Sequence, residues 1–256
     1  MQVIFLGTGT SYGVPMVACD CAVCRSDDPR NRRTRASVLI RDRGVSLLID
    51  ASVDLRQQAL RHGIKRLDAI LLTHSHADHV LGLDDVRAFS ALQNAPVPVY
   101  GDAGTLNVVR KNLDYVFREP QGTPDWNIPR LALFEMDGCA EICGVPVTAV
   151  PILHGRRAIL GYRVGGLAYL TDCSAMPDES FRLLAALDTL VVGAVRLDPH
   201  PAHFNLSGAL ALVERLKPRC AYFTHISHQM DHAVIEAGLP QNVRLAYDGL
   251  EVEAPG

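Results

Sequence analysis

The chain has 256 residues, of which 48% are hydrophobic, and its formal net charge at pH 7 is −3. This length and hydrophobic content can bury a substantial core, so we expect a single domain over residues 1–256. The slight negative charge argues against a general nucleic-acid binder, and no apolar run approaches the length of a membrane span. No segment has the pattern of a signal peptide, so we expect a cytoplasmic protein with reduced cysteines.

Short apolar runs predict strands along most of the chain. They begin at Gln2, Ala36, Val45, Leu67, Val97, Val145, Ala158, Leu167, Thr189, Cys220 and Val243. Helical patterns cover residues 54–62, 105–117, 179–187 and 207–216. Strand-rich halves with helices between them predict an α/β protein in which two packed sheets are flanked by helices. The irregular residues 119–129 predict a loop that borders a cleft.

The stretch 73–79 is a dense cluster of potential metal ligands. It reads THSHADH and follows directly on the apolar run 67–72, so it lies where a buried strand ends. Imidazole and carboxylate groups together suit zinc, manganese or iron(II), whereas a lone histidine is usually structural. The pattern therefore predicts a metal site with four candidate ligands, His74, His76, Asp78 and His79.

Further ligand-type residues end other apolar runs. His154 follows the run 147–153, Asp172 follows 167–171, and His225 follows 220–224. Each is a polar residue at the carboxyl end of a strand-like segment, where active sites on sheet scaffolds are commonly found. Any one alone would be interpreted as a turn residue, but together with the stretch 73–79 they can serve a second metal.

The order of these residues resembles that of the metallo-β-lactamase-fold hydrolases over essentially the whole chain. The resemblance implies a four-layer αβ/βα sandwich and two divalent metals (zinc, manganese or iron) that share a hydroxide as nucleophile. Asp50, which ends the run 45–49, matches the first motif of this superfamily and would orient ligands rather than bind metal. We expect Asp78 to act in catalysis as well as to bind metal. The implied ligands are His74, His76 and His154 for the first metal, Asp78, His79 and His225 for the second, and Asp172 for both.

A second cluster lies at residues 19–24, where Cys19, Cys21 and Cys24 form the pattern C-x-C-x-x-C. Three thiolates on a short loop need one further ligand to complete a tetrahedral structural zinc site, and His228 is the candidate. The alternative is a set of free or disulfide-bonded cysteines. We disfavour disulfides because the number of cysteines is odd and their spacing is tight.

The two clusters together resemble those of the cyclic phosphodiesterases of the bacterial carbon–phosphorus lyase pathway. Two further phrases match that family, LGTGTSYGVP at 6–15 and THISH at 224–228. The resemblance implies a small anionic phosphodiester substrate, a cyclic phosphate like phosphoribosyl 1,2-cyclic phosphate, which hydrolysis opens to a phosphomonoester. His203 aligns with a histidine that faces the metals in that family and would protonate the leaving oxygen or hold a phosphate oxygen. The alternative for His203 is a structural residue near a helix start.

Other functions on the same scaffold stay open. They include a transfer-RNA 3′-end nuclease, a lactonase, a thioesterase and a non-hydrolytic relative resembling the pyrroloquinoline-quinone biosynthesis protein. We disfavour the nuclease because the chain has no extended basic arm, and the non-hydrolytic relative because every ligand position is filled. A homodimer is compatible with the sequence.

Three smaller predictions concern residues near the motifs. His200 either lines the cleft or lies outside it, and His232 is predicted to lie at the surface. The arginines around the cysteine loop predict either a solvated face or a patch that draws anionic substrates towards the cleft. These arginines are Arg25, Arg30, Arg32, Arg33 and Arg35.

Overall fold

The computed structural model describes residues 1–118 and 128–256. Its strands are β1 (Gln2–Gly7), β2 (Ser37–Asp42), β3 (Val45–Ile49), β4 (Ala69–Leu71), β5 (Val97–Gly101), β6 (Leu131–Glu135), β7 (Cys139–Ile142), β8 (Val145–His154), β9 (Arg157–Val164), β10 (Leu167–Leu170), β11 (Thr189–Gly193), β12 (Cys220–Thr224), β13 (Val243–Leu245) and β14 (Glu251–Glu253). Its α-helices are α1 (Leu55–Arg61), α2 (Ala77–Val80), α3 (Arg87–Leu92), α4 (Ala103–Asn112), α5 (Asp114–Phe117), α6 (Asp178–Leu183), α7 (Leu206–Leu216) and α8 (His232–Glu236). Short 3₁₀ helices span Pro29–Asn31 and Leu81–Val86.

Within the described residues the strands form two seven-stranded mixed sheets. The first sheet has the order β14-β1-β2-β3-β4-β5-β6, and the second has the order β13-β12-β11-β10-β9-β8-β7. Neighbouring strands run parallel from β3 to β6 and from β10 to β13. Each half of the chain therefore builds a sheet with antiparallel strands on one side and parallel strands on the other.

Side chains that alternate along the strands fill two different cores. In β1, Val3 and Phe5 pack between the two sheets, whereas Ile4 and Leu6 pack beneath the helices. This is the two-residue period of an extended strand that is covered on both faces.

Three apolar layers separate four layers of secondary structure. The central layer lies between the sheets and contains the buried rings of Tyr162 and Tyr169. The outer layers lie between the first sheet and helices α1, α3 and α4, and between the second sheet and helices α6 and α7. The predicted four-layer αβ/βα sandwich is therefore confirmed.

The sequence missed the elements with weak apolar patterns. Strands β6, β7 and β14 lie at sheet edges, so pairing with a neighbour rather than an apolar run defines them. Helices α2, α3 and α8 are too short for a helical period to show. The predicted helix 105–117 is two helices, α4 and α5, separated at Leu113, and most of the predicted 119–129 loop lies outside the described residues. Among the described residues, no helix has the length and hydropathy needed to cross a bilayer.

Two hydrogen bonds join the sheets beside the histidine motif. The buried hydroxyl of Tyr162 on β9 donates to the carbonyl of Leu72, 2.7 Å away. The amide of Leu160 donates to the carbonyl of Thr73, 3.0 Å away. The acceptors are the first two residues after β4, so these bonds hold the end of β4 against the second sheet.

We predict that Tyr162→Phe lowers the free energy of unfolding by about 1–3 kcal/mol, because it leaves the buried Leu72 carbonyl without this donor. Urea denaturation followed by circular dichroism measures the change. Tyr169→Phe is the matched control, since the buried Tyr169 hydroxyl has no hydrogen-bond partner in the described part of the chain. Equal losses of stability in the two variants would contradict the prediction.

Candidate active site and cysteine cluster

The ends of four strands bring residues of the candidate site to one place. Asp50 follows β3, His74 lies three residues after β4, Asp172 lies two residues after β10, and His225 follows β12. Three of these residues, Asp50, Asp172 and His225, have positive φ angles of 63°, 55° and 55°. A non-glycine residue in this region carries strain of order ~1–3 kcal/mol, and such residues cluster at functional sites.

Asp50 is fully buried and orients the first ligand motif. Its carboxylate accepts hydrogen bonds from the amide of Thr73 at 2.8 Å and from the Thr73 hydroxyl at 2.9 Å, and it lies 2.7 Å from Nδ1 of His79. Because a carboxylate only accepts, Nδ1 of His79 carries the proton and Nε2 faces the cluster. The Thr73 hydroxyl is 3.0 Å from Nδ1 of His74. Asp50 therefore orients His79 directly and His74 through Thr73.

His74, His76 and His154 form the first ligand group. One ring nitrogen of each lies within 4.8 Å of the other two, and Nε2 of His74 is 2.9 Å from Nδ1 of His76. Nδ1 of His154 donates to the carbonyl of Ala202, 2.7 Å away, which leaves its Nε2 free to accept or to bind a metal. The structure thus brings together the three residues predicted for the first metal.

Asp78, His79 and His225 form the second ligand group, again with one ligand atom of each within 4.8 Å of the others. Nε2 of His79 is 3.3 Å from the Asp78 carboxylate, but it is not aligned for a hydrogen bond with any described residue. Nδ1 of His225 is likewise buried without a partner in the described part of the chain. Buried ring nitrogens are rarely left in this state unless something else binds them.

Asp172 lies between the two groups. Its carboxylate is 3.2 Å from Nε2 of His79 and 3.3 Å from Nε2 of His225. The same carboxylate lies within 4.8 Å of a ring nitrogen of His74 in the first group. Imidazole and carboxylate donors with unpartnered buried nitrogens fit a divalent zinc, manganese or iron ion.

His203 lies beside this cluster, on the loop between β11 and α7. Its ring stacks on that of His225 at 5.1 Å between centroids and meets the edge of the His154 ring at 4.6 Å. Nδ1 is 3.3 Å from the Asp172 carboxylate. Burial, together with the nearby His225, lowers the pKa of His203 to about 3, so the ring is neutral at pH 7. The side chain of Asn205 caps α7, so the helix start does not require His203.

A cavity of about 190 Å³ adjoins the cluster. Its walls come from the loop after β1, the loop between β11 and α7, and the segment after β12. His200 lines this cavity, with its ring 4.7 Å from that of His203. The structure therefore places His200 in the cleft rather than outside it.

Cys19, Cys21, Cys24 and His228 form a separate cluster, with one ligand atom of each within 4.8 Å of the others. Nδ1 of His228 is 3.2 Å from Sγ of Cys19 and 3.4 Å from Sγ of Cys21. The amide of Cys24 donates to Sγ of Cys21 and, against the effect of burial, lowers the pKa of the Cys21 thiol to about 6. Burial raises the pKa of Cys24 to about 11, so the Cys21 thiol ionises more readily than that of Cys24. All seven cysteines are free, and three sulfurs with one imidazole suit a closed zinc site.

The arginines near the cysteine loop are largely engaged within the protein. Arg33 is buried, donates to the Thr8 hydroxyl and lies 3.0 Å from Nδ1 of His232, which is also buried. The solvated face predicted for Arg33 and the surface position predicted for His232 are therefore wrong. Arg30 and Arg35 form ion pairs with nearby aspartates. None of the five predicted arginines lines the cavity formed by the described residues.

Comparisons with known proteins agree with this geometry. Residues 46–226 match a family model described as a beta-lactamase superfamily domain. The crystal structure of a new diphosphatase from the PhnP family superposes with a TM-score of 0.92 at 42% identity, covering 99% of this chain and 97% of that one. An octanoyltransferase of Porphyromonas gingivalis is 40% identical over 98% of this chain, which spans 51% of that protein's length. Coenzyme PQQ synthesis protein B of Methylobacterium radiotolerans is 30% identical, over 75% of this chain and 72% of that protein.

The chain therefore belongs to the β-lactamase superfamily and has the metallo-β-lactamase fold of divalent-metal-dependent hydrolases. Within that superfamily it is a PhnP-like protein, because the 42% identity extends over nearly the full length of both chains. The family resemblance predicted from the motifs is confirmed.

Sequence reasoning missed the groups that hold the ligand rings in place. The Ala202 carbonyl, which orients the His154 ring, is a backbone group on a distant loop, so no residue pattern indicates it. Thr73 directly precedes His74, so its hydroxyl could have been proposed as a partner. Arg196 lines the cavity, but no motif surrounds it.

We predict that Cys21→Ser releases about one zinc ion per chain and lowers the melting temperature, because a hydroxyl is a far weaker zinc ligand than a thiolate. Mass-spectrometric metal analysis after dialysis and thermal denaturation measure the two effects. Cys143→Ser is the control, since Cys143 is exposed and belongs to none of the described ligand groups. An unchanged zinc content in the Cys21 variant would count against a zinc site at this cluster.

Proposed function

We propose that the protein is a binuclear metal-dependent phosphodiesterase that opens a small cyclic phosphate similar to phosphoribosyl 1,2-cyclic phosphate. The observation that carries this proposal is the pair of three-residue ligand groups with Asp172 between them. The proposed metals are zinc, manganese or iron. Their proposed ligands are His74, His76 and His154 for the first, Asp78, His79 and His225 for the second, and Asp172 for both.

Two divalent metals held by these residues would supply Lewis acidity and a nucleophile at neutral pH. The contribution of the protein itself is positional. Asp50 and the Ala202 carbonyl set the tautomers of their histidines, so that the free ring nitrogens point into the cluster. Asp78, whose side chain is partly exposed, is proposed to act in catalysis as well as ligation.

Three observations support a small phosphodiester as the substrate. The PhnP-family structure, 42% identical to this chain, is described as that of a diphosphatase. The cavity of about 190 Å³ corresponds to about six water molecules, which suits a small molecule rather than an RNA strand. No acidic side chain lines this cavity among the described residues, whereas Arg196 and His200 do, so its wall favours an anion.

We assign Cys19, Cys21, Cys24 and His228 to a structural zinc that closes the loop before β2. The lowered pKa of Cys21 and the short Nδ1–Sγ distances of His228 support this assignment. His228 lies three residues after His225, a proposed ligand of the second metal, so the two clusters share one segment. We also propose that residues 1–256 act as one domain.

Two alternatives use the same scaffold. A lactonase or thioesterase would need the same metals, but the acid-free cavity with its arginine favours an anionic substrate over a neutral one. The second alternative is a role in biosynthesis in place of phosphodiester hydrolysis, and the likeness to a coenzyme PQQ synthesis protein B supports it.

The proposal is tested by a substrate panel with manganese-loaded and zinc-loaded protein. The panel compares ribose 1,2-cyclic phosphates, bis(p-nitrophenyl) phosphate, lactones and thioesters. We expect the highest kcat/KM on a cyclic phosphate, and no activity in Asp172→Ala, which removes the proposed bridging carboxylate. Faster turnover of a lactone or thioester, or no phosphodiester hydrolysis, would overturn the proposed function.

The role of His203 gives a further prediction. An anionic phosphodiester beside the neutral ring raises its pKa, so that it can take up a proton and deliver it to the leaving oxygen. We expect His203→Ala to keep its full metal content and to lose roughly 10²–10⁴-fold in rate on a cyclic phosphate. The loss on bis(p-nitrophenyl) phosphate should be clearly smaller, because its acidic phenol leaves without protonation.

Rates on both substrates, with metal content measured on the same samples, decide between the roles of His203. His62→Ala is the control, since His62 ends α1 and belongs to none of the described ligand groups. Equal losses on both substrates would point to phosphate binding or charge stabilisation instead of proton transfer. Unchanged rates on both would remove His203 from the site.

A further inference from the structure

Arg33 is a buried cation outside the proposed ligand groups. Its Nη1 donates to the Thr8 hydroxyl, 2.7 Å away, and to the carbonyl of Ala246. Its Nη2 lies 3.0 Å from Nδ1 of His232, so none of the three acceptors is charged. Burial lowers the pKa of Arg33 to about 10, and the side chain is still a cation at pH 7. Because burying a charge costs free energy, an apolar residue would serve packing alone better.

One contact of Arg33 leads to the backbone beside His225. The Thr8 hydroxyl that accepts from Arg33 donates in turn to the buried carboxylate of Asp248, 2.8 Å away, so the Thr8 side chain is held from two sides. The Thr8 carbonyl accepts from the amide of Ile226 at 2.8 Å. Ile226 directly follows His225, whose φ angle is 55°. A residue in this strained region stays there only where its neighbours hold the backbone, so the bond to Thr8 helps to set the direction of the His225 ring.

A second contact of Arg33 holds the other end of the same segment, residues 225–232. His232 begins α8, and its amide donates to the side chain of Asn31 at 2.9 Å. Since a guanidinium only donates, Nδ1 of His232 accepts from Arg33. Burial, with Arg33 nearby, lowers the pKa of His232 to about 4, so the accepting ring is neutral at pH 7. One guanidinium therefore reaches groups that fix both ends of the segment.

The backbone of Arg33 is itself anchored. Its amide donates to the carbonyl of Val14 at 2.7 Å, and its carbonyl accepts from the amide of Val14 at 2.8 Å. This antiparallel pair closes the base of the loop 15–32, which carries the three cysteines of the second cluster. The guanidinium therefore extends from a fixed point of the backbone, as a group that positions others requires.

Resting on the ligands proposed for the second metal, we propose that Arg33 is a positioning residue for His225. Through Thr8 and His232 it holds the segment 225–232 so that Nε2 of His225 stays beside the Asp172 carboxylate, 3.3 Å away. Arg33 does not line the cavity at the cluster, so it acts through the backbone and has no contact with substrate. An apolar residue in its place leaves Thr8 and His232 without their donor and lets the strained backbone at His225 relax. The resulting loss of metal affinity is confined to the second catalytic position.

The test measures zinc affinity at the two catalytic positions, by competition with a chelator, in the wild type and in Arg33→Met. We expect Arg33→Met to lose roughly 10–100-fold in affinity at the second position, the effect typical of a group that orients a metal ligand, with the first position unchanged. Arg33→Lys keeps the charge and a donor, so it should recover part of this loss. Leu106→Ala on α4 is the control, since it removes a buried side chain of an outer apolar layer and lowers stability without touching these contacts.

A double-mutant cycle identifies the position that is affected. In a His225→Ala background the second position already lacks its ligand, so Arg33→Met should cause no further loss. A further loss in that background, an equal loss at both positions or an unchanged affinity in folded Arg33→Met would overturn the proposal. If Arg33→Met does not fold, His232→Phe decides by the same measurement, because it keeps a ring and removes one acceptor of Arg33. Weaker binding at the second position then supports the role of Arg33, and wild-type affinity contradicts it.

Hydrogen exchange separates this proposal from the proposed function. If the wild type binds no metal at the catalytic positions, the proposed function fails, and exchange of the Ile226 amide, followed by NMR, decides the role of Arg33. Arg33→Met should speed this exchange by roughly tenfold, as expected when about one supporting hydrogen bond is lost. The amide of Leu160, which donates to the carbonyl of Thr73 beside the first ligand group, should change little. Equal changes at the two amides would refute the positioning role.

Discussion

The buried carboxylate of Asp50 is the contact on which the geometry of the catalytic cluster depends. It receives hydrogen bonds from both polar groups of Thr73 and from His79, and through the Thr73 hydroxyl it also reaches His74. Burial raises the pKa of Asp50 above its ordinary value, and the charge and hydrogen bonds of His79 and Thr73 oppose this shift by favouring the charged form. One carboxylate thus sets the ring direction of a histidine in each ligand group. Because this one carboxylate orients a histidine in each of the two ligand groups, the groups keep a fixed geometry relative to each other.

The sandwich fold holds three residues of the cluster in a strained backbone conformation. Asp50, Asp172 and His225 leave their strands with positive φ angles, a conformation that persists only where the surroundings hold it. The apolar layer between the sheets fixes the strand ends, and the amide of Asp50 donates to the carbonyl of Leu71 at 2.9 Å. The same strand ends bring residues distant in sequence to one edge of the fold. Core packing and ligand placement are therefore two results of the same strand arrangement.

The layered fold and the ligand groups could be predicted because their patterns are local. The motif at 73–79 is contiguous, and the other ligands each end an apolar run. What escaped prediction depends on contacts between distant segments. Arg33 and His232 are 199 residues apart, and their burial follows from a meeting that no local pattern encodes. The Ala202 carbonyl likewise comes from a distant loop. An edge strand such as β14 is defined by its pairing with a neighbouring strand rather than by its own residue pattern.

The most direct test of the role of Asp50 is the affinity of Asp50→Asn for the catalytic metals, measured in buffers of fixed free zinc or manganese. Asparagine keeps the size of the side chain. Its neutral amide has one accepting oxygen, so it cannot replace both carboxylate oxygens in the hydrogen bonds from Thr73 and His79. The expected result is a loss of roughly 10–100-fold in affinity at both catalytic positions, with the cysteine cluster unchanged. Asp102→Asn at the start of α4 is the control, since asparagine also caps helices well. Wild-type affinity at both positions in Asp50→Asn would contradict the dependence of the cluster on this carboxylate.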